Sequence, residues 1–391
     1  MSTNAVRGRA IRTSATLLSG PVELLDFLVP LWAGAMLGLG APAIGWLVAA
    51  ELVVSVLVRP LAGYLADTRA RSRIAAVGAF ALSLSCVIYA IADTPALAFI
   101  AAFLGGVAGP LFWISLRAIA AEYLADDSGT YAGLMSAEAL GSWIFWGPAM
   151  ALLGAFGYSA VFIGLAVTAA AAGARLLLTP KEPLVVRTEL AGGIREHARR
   201  LAPLMTIGGV VTAAEAGVGL ALLLQLQAAG LEVWQIALVY LPGGIAMTLL
   251  PRPLHGLVER WGRKPAYIAA SLATAVSTAT LALSPPVILI AALWIIMSAS
   301  LALLYPLQKT LVSEASGDRV ARGMSLQANA DTIGAAVGVV TVGAIVADGQ
   351  WAPAFVTCAV VILGGAALAP WVIDRIGKEY RDEQRGAARG R

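Results

Sequence analysis

The sequence predicts an all-α membrane protein with twelve transmembrane helices in two pseudo-symmetric six-helix bundles, and three observations carry that prediction. The chain of 391 residues is 59% hydrophobic and only 13% charged, about half the charged share of a soluble domain. Its apolar residues fall in blocks of roughly 18–25, the length at which a helix crosses hydrocarbon. A basic turn, Arg59-Pro60-Leu61-Ala62-Gly63-Tyr64-Leu65-Ala66-Asp67-Thr68-Arg69-Ala70-Arg71-Ser72-Arg73, returns as Arg252-Pro253-Leu254-His255-Gly256-Leu257-Val258-Glu259-Arg260-Trp261-Gly262-Arg263-Lys264. A unit that recurs at half the chain length marks an internal duplication. Helices follow from the solvent: lipid offers backbone groups no partner, an open sheet leaves its edges unsatisfied, and barrel strands would alternate polar with apolar.

In chain order, the spans of the first half are expected at residues 14–39, 43–66, 74–92, 95–119, 130–153 and 157–178. Those of the second half are expected at 202–228, 232–255, 266–283, 286–310, 322–347 and 352–373. The first span follows Arg7, Arg9 and Arg12 as a secretory leader would, but it carries Glu23 and Asp26 and is too long and too charged for a cleaved segment. Connections after the odd-numbered spans carry no Lys or Arg, as in Gly40-Ala41-Pro42, Ala92-Asp93-Thr94 and Ala347-Asp348-Gly349. The others hold the basic residues, including Arg69, Arg71, Arg73, Arg117, Arg260, Arg263, Lys264 and Lys309. The positive-inside rule then places both termini in the cytoplasm and the protein in the inner or plasma membrane of the cell. Residues 1–178 are expected to form the N-terminal bundle, 179–201 a cytoplasmic linker with a short surface helix, 202–376 the C-terminal bundle, and 377–391 a disordered charged tail. His197, in the linker, reads as a solvent residue.

Further matches support the duplication. Arg117 and Glu122 correspond to Lys309 and Glu314, and Gly133-Leu134-Met135-Ser136 resembles Gly323-Met324-Ser325, in the same order in both halves. The net charge of +4 sits in loops at span ends, so no nucleic-acid partner is implied. Cys86 and Cys358 lie far apart inside apolar spans and read as small buried residues rather than a disulfide. The sequence contains no His–acid cluster, no Cys–His pair, no metal-ligand pattern and no phosphate-binding loop, which argues against an enzyme and leaves a membrane-embedded transferase as a remote alternative.

The repeated turn, twelve spans and a central linker together resemble the major facilitator superfamily, whose signature turn reads approximately Gly-x-Leu-Ala-Asp-Arg-x-Gly-Arg-Arg. Gly63, Leu65, Ala66, Asp67 and Arg71 match it, while Thr68 and Ala70 depart from it. The second copy keeps Glu259, Arg260, Gly262, Arg263 and Lys264. The resemblance implies alternating access by two bundles around a midplane cavity. Gly63, Asp67, Arg71, Glu259 and Arg263 are the expected conformational latch, because such a turn can bond helix ends of the other half when the cytoplasmic side is closed. A carboxylate near a helix N-terminus gains about 0.3–1 kcal/mol, so the contact holds a state and still breaks in each cycle. Gly147-Pro148, followed by Gly154, resembles the span-five pair of proton-coupled exporters, with Trp143 where that pattern has glycine. The arginine that many drug exporters carry inside span four has no counterpart; Ala101 or its neighbours occupy that level.

Ionisable residues at membrane depth are expensive and therefore mark function. Span one carries Glu23 and Asp26 on one helix face, span two Glu51, span five Glu138, span seven Glu215 and span eleven Asp331. No Lys or Arg lies as deep; Arg59, Arg117 and Arg252 are nearer the cytoplasmic edge. An acid-rich interior suits protons, organic cations or amphipathic neutral compounds, and disfavours anions. Asp26, with Glu23 beside it, is the expected proton-coupling site, since neighbouring carboxyls share protons. An Arg117–Glu138 ion pair is the expected second element. Glu215, Asp331, Gln225 and Asn329, with the aromatic Trp113 and Trp146, are the candidate substrate contacts.

The expected activity is secondary transport: a monomeric proton antiporter exporting a small amphipathic or cationic compound, with protons and membrane lipids as its other partners. It needs no cofactor, because a proton gradient supplies the energy. A proton-coupled importer of a neutral metabolite and a lipid or lysolipid transporter are the alternatives within the class.

Overall fold

The computed structural model describes residues 3–122, 128–179, 194–316 and 320–389, and no strand occurs among them. The described helices are α1 (Thr3–Leu37), α2 (Ala41–Thr68), α3 (Arg71–Ile91), α4 (Pro95–Glu122), α5 (Ser128–Ile144), α6 (Trp146–Leu177), α7 (Ile194–Ala228), α8 (Val233–Leu249), α9 (Pro251–Trp261), α10 (Arg263–Leu281), α11 (Val287–Ser316), α12 (Val320–Ile345) and α13 (Trp351–Arg389). Nine helical stretches among the described residues are long and apolar enough to cross a bilayer. One of these, residues 136–177, is long enough for two crossings at 1.5 Å per residue, and it turns at Gly157, whose φ of 77° only glycine adopts without strain. The apolar α8 and the 19-residue α10 supply the remaining expected spans.

Two expected spans are interrupted, and proline is the reason in both. Span five breaks at Phe145, between α5 and α6, because Pro148 lacks the N–H that would bond Ile144 and its ring crowds that carbonyl. Span eight breaks at Leu250, where Pro251 starts α9, so the second copy of the basic turn rides on its own short helix. A capping box at Glu232 and Gln235 starts α8. The expected linker falls largely outside the described residues, at 180–193, and the surface helix foreseen there is the first turns of α7. The segment from residue 377, expected to be disordered, continues α13 as far as Arg389. Its Lys378, Glu379, Glu383, Gln384 and Ala387 are good helix formers, and extending a helix avoids the cost of nucleating one.

The described chain forms two compact units, divided between Glu189 and Leu190. In the first, α3 packs on α4 and α6, α2 on α4, and α1 on α5 and α6. In the second the same pairs recur: α10 on α11 and α13, α8 on α11, and α7 on α12 and α13. The bundles are thus pseudo-symmetric in packing as well as in sequence.

One contact fixes the register of this symmetry. Ser19 Oγ donates to the backbone carbonyl of Glu138 at 2.9 Å, and Thr212 Oγ1 donates to that of Asp331 at 2.9 Å, each pair 119 residues apart. Ser19 and Thr212, Glu138 and Asp331, Gly141 and Gly334, and Arg59 and Arg252 are all separated by 193 residues. The match of Gly133 with Gly323, which implies a separation of 190, is therefore three residues out of register in this helix. A three-residue slip is nearly one turn and keeps the same face, so the sequence pattern alone did not exclude it.

Close approach makes these bonds possible. A Cβ on Gly141 would overlap the backbone of Thr16, and one on Gly334 or Gly338 would overlap the carbonyl oxygen of Gly209 or Ala213. Small residues at four-residue spacing let the helix backbones touch, which is how helices associate where no hydrophobic drive exists between them and lipid. Gly334→Leu is expected to lower the melting temperature of the detergent-solubilised protein, by the equivalent of about 1–3 kcal/mol or more of overpacking. Gly364→Leu, at a glycine with open space around it, leaves the melting temperature unchanged; equal effects would contradict the packing.

Candidate functional site

In unit 1 the acids come together around α1. Glu23 and Asp26 lie one turn apart on its open side, both exposed. Glu138, half-buried on α5, is held at their level by the Ser19 bond to its backbone. Its Oε1 accepts from Arg117 Nη2 of α4 at 3.1 Å, and the guanidinium stands 5.5 Å from the centre of the Trp113 ring. The expected ion pair is present. The other carboxylate oxygen, Oε2, is buried and has no hydrogen-bond partner among the described residues. Glu23 is within electrostatic range of Glu138, and Asp26 within range of both Glu23 and Glu51. Four carboxyls thus form a row through the bundle, and the Arg117 guanidinium pairs with the one at its end.

Glu51, which from sequence alone could face either the cavity or a neighbouring helix, lies against α4. Its carboxyl occupies the notch left by the missing side chain of Gly105, where a Cβ would come within 2.8 Å of Oε1. Trp146 packs on Phe27 with ring centres 5.0 Å apart, supporting the back of α1. Gly147 and Pro148 are exposed in the first turn of α6, where they restart the interrupted span.

Unit 2 holds a smaller polar cluster. Glu215 of α7 accepts a hydrogen bond from the Tyr305 hydroxyl of α11 and is within electrostatic range of Asp331. Asp331 Oδ1 accepts from Gln327 Nε2 at 2.6 Å, one turn earlier on α12. Gln327 Oε1 is buried and unpartnered among the described residues. Tyr305 and Gln327 were missed by sequence reasoning, which chose Gln225 and Asn329 as the neutral companions of these acids; Gln327, one helical turn before Asp331, was the available signal.

Two expected companions stand elsewhere. Gln225 donates to Ser284 Oγ at 3.2 Å, near the far end of α7, because ten residues of helix separate it from Glu215 by about 15 Å. Asn329 lies about 200° around α12 from Asp331 and lines a cavity of 630 Å³ between α12 and α13 over α7. That cavity is walled by Ile333, Val337 and Val361 and contains none of the acids, so cavity size and the charged chemistry do not coincide in this unit.

Each basic turn makes bonds within its own unit. Arg71 pairs with Asp67 at 3.7 Å and its Nε donates to the Ala66 carbonyl at 2.9 Å; Gly63 faces open space. Arg263 grips Glu314 of α11 through both nitrogens, at 2.6 and 2.7 Å, and Lys264 pairs with Asp374 of α13. Glu314 lies in the same unit as Arg263. A bidentate arginine–carboxylate pair is the strong form of such a contact, and here it ties α10 to α11. Glu259 is exposed on α9.

A model of the Major Facilitator Superfamily matches residues 14–258 and 253–389. Among solved structures, the nucleoside transporter NupG is similar at a TM-score of 0.76 and 15% identity, covering 94% of this chain and 99% of that one. A mutant of the same protein reaches 0.77 at 14% identity, covering 93% and 99%. The human organic anion transporter MFSD10 (TETRAN) reaches 0.66 at 16% identity, covering 94% and 100%. No curated protein matches the sequence. At these identities the structures share the fold with this chain. The family match, which spans nearly the whole sequence, and the paired helix packing of two related units lead to one conclusion: this multi-pass membrane protein is a transporter of the Major Facilitator Superfamily.

Proposed function

We propose that the protein is a proton-coupled antiporter that exports a small cationic or amphipathic compound from the cell by alternating access, driven by the proton gradient and without a cofactor. The observation that carries this reading is the row Glu138, Glu23, Asp26 and Glu51, in which one carboxyl is paired with arginine. Carboxyls gathered without matching cations favour either a bound proton or a bound organic cation, and a site that takes only one of them at a time couples their movements. Asp26 and Glu23 are the exposed members, open to ligand, and are the proposed exchange site. Arg117, held by Trp113 and Glu138, neutralises one end of the row, and it is engaged there rather than offered to an anionic substrate. Basic loops on the cytoplasmic side and both termini inside fit export through the cell membrane, by a protein acting as a monomer.

A second reading, import of a neutral polar metabolite, draws on the unit 2 cluster. Tyr305, Gln327, Glu215 and Asp331 offer donors and acceptors suited to hydroxyl or amide groups. NupG, a nucleoside transporter by name, shares the fold but not enough sequence to decide between the two.

Proteoliposomes loaded with a pH-sensitive dye and challenged with a panel of lipophilic cations test the first reading. Wild type is expected to move protons on substrate addition, and Asp26→Asn to reduce that flux about tenfold or more, the effect of losing one interaction of about 1.4 kcal/mol. Flux surviving in Asp26→Asn moves the proton site to another acid; no flux with any cation overturns export of cations and favours import. The unit 2 cluster is checked by equilibrium binding: Tyr305→Phe is expected to weaken substrate affinity about three- to tenfold, the worth of one hydrogen bond, while Gln225→Ala leaves it unchanged.

A further inference from the structure

We propose that Asp26 and Glu51 form one two-carboxyl proton site in unit 1, with Glu51 as the storage position and Tyr89 as its hydroxyl donor. The inference deepens the proton-coupling reading, and it stands on the packing of α1, α2, α3 and α4.

Glu51 is placed by backbone approach. Gly105 and Gly106 let α2 lie so close to α4 that a Cβ on Gly105 would touch the Glu51 carboxyl, and one on Gly106 would touch its backbone carbonyl. The notch holds the carboxyl half-buried, within electrostatic range of the exposed Asp26. Tyr89 of α3 closes the inner side at 2% exposure. Its ring is clamped edge-on by Trp32 at 5.4 Å and stacked on Phe162 at 5.5 Å, so the hydroxyl cannot swing away. That hydroxyl is buried without a hydrogen-bond partner among the described residues, yet it lies within electrostatic range of both Glu51 and Asp26. A buried hydroxyl left unpaired is uncommon and calls for a partner that comes and goes. A carboxyl that alternates between protonated and ionised is such a partner: when Glu51 is ionised, it offers the Tyr89 O–H a stronger, charged acceptor.

Among the described residues, the groups that act on the site electrostatically are carboxyls and the neutral weak acids Tyr and Cys. From α1 they are Asp26 and Glu23, from α3 Cys86 and Tyr89, and from α5 Glu138, which acts through Glu23. The element α4 contributes only the glycine pair at this level, its Arg117 being engaged by Glu138. Two like charges with no cation between them in an apolar bundle hold a proton in common. Burial increases from Asp26 through Glu51 to Tyr89, so protons enter and leave by Asp26. When a cationic substrate arrives there, the carboxyl O–H bond breaks, the carboxylate keeps the electron pair, and the proton passes to water on the open side of α1. The substrate charge then replaces the proton charge one for one.

Difference infrared spectroscopy on the purified full-length protein reads the site directly, through the C=O stretch of protonated carboxyl groups over a pH titration in light and heavy water. Wild type is expected to lose this signal in two coupled steps, and Asp26→Asn and Glu51→Gln each to leave one. Gly105→Ala, which displaces the Glu51 carboxyl without removing it, is expected to uncouple the steps. Tyr89→Phe keeps both steps and moves their midpoints. A wild-type titration that Glu51→Gln leaves unchanged overturns the proposal, as does a Gly105→Ala protein indistinguishable from wild type. No substrate or gradient is needed, so a two-step titration without proton flux in proteoliposomes would overturn antiport and leave this site standing, whereas flux with a single Asp26 step would do the reverse.

Discussion

Two hydroxyl-to-carbonyl bonds, Ser19 to Glu138 and Thr212 to Asp331, set the geometry from which the rest of each bundle follows. They cross the α1–α5 and α7–α12 pairs, and they form only because Gly141 and Gly334 remove the side chains that would hold the backbones apart. In lipid, apolar surface gives two helices no reason to prefer each other over acyl chains, so small residues and short polar bonds do the joining. The same bonds place an acid, Glu138 or Asp331, at the seam. Packing and chemistry are therefore set by one contact in each unit.

From that common frame the two units diverge. Unit 1 strings Glu138, Glu23, Asp26 and Glu51 along its interior, with arginine at one end, while unit 2 surrounds Glu215 and Asp331 with the neutral donors Tyr305 and Gln327. A row of carboxyls responds to protons and cations; a pair already hydrogen-bonded to neutral donors is better suited to reading the shape and polarity of a solute. Duplication supplied the scaffold twice, and substitution at equivalent positions gave the copies different polar interiors. Phe145, whose ring lies on Gly20, corresponds to Gly338, which lines the apolar cavity, so even the space between helices differs by a single side chain.

The basic turns illustrate a limit on reading motifs. Both copies look alike in sequence, yet Arg71 closes on its own helix end through Asp67 and Ala66, and Arg263 binds Glu314 on α11. An arginine side chain spans several ångströms and takes the best carboxylate within reach. Which carboxylate that is depends on the path of neighbouring helices, here on the break at Leu250 that sets α9 and α10 at the end of unit 2.

Helical membrane architecture, the duplication, most span positions and the acids at depth were legible in the chain, because each rests on local composition: apolar length, loop charge and the cost of a carboxyl in lipid. The Arg117–Glu138 pair was also legible, since one short loop brings both to similar depth. Other features needed the folded chain. Whether Glu51 faces the cavity or a neighbouring helix depended on Gly105 of α4; Asn329 and Asp331 differ by two residues and point to different surroundings; and Gln225 lies about 15 Å along α7 from the site it was expected to join. Composition fixes how deep a residue lies, whereas the rotation of its helix, set by distant glycines and hydroxyls, decides what it faces.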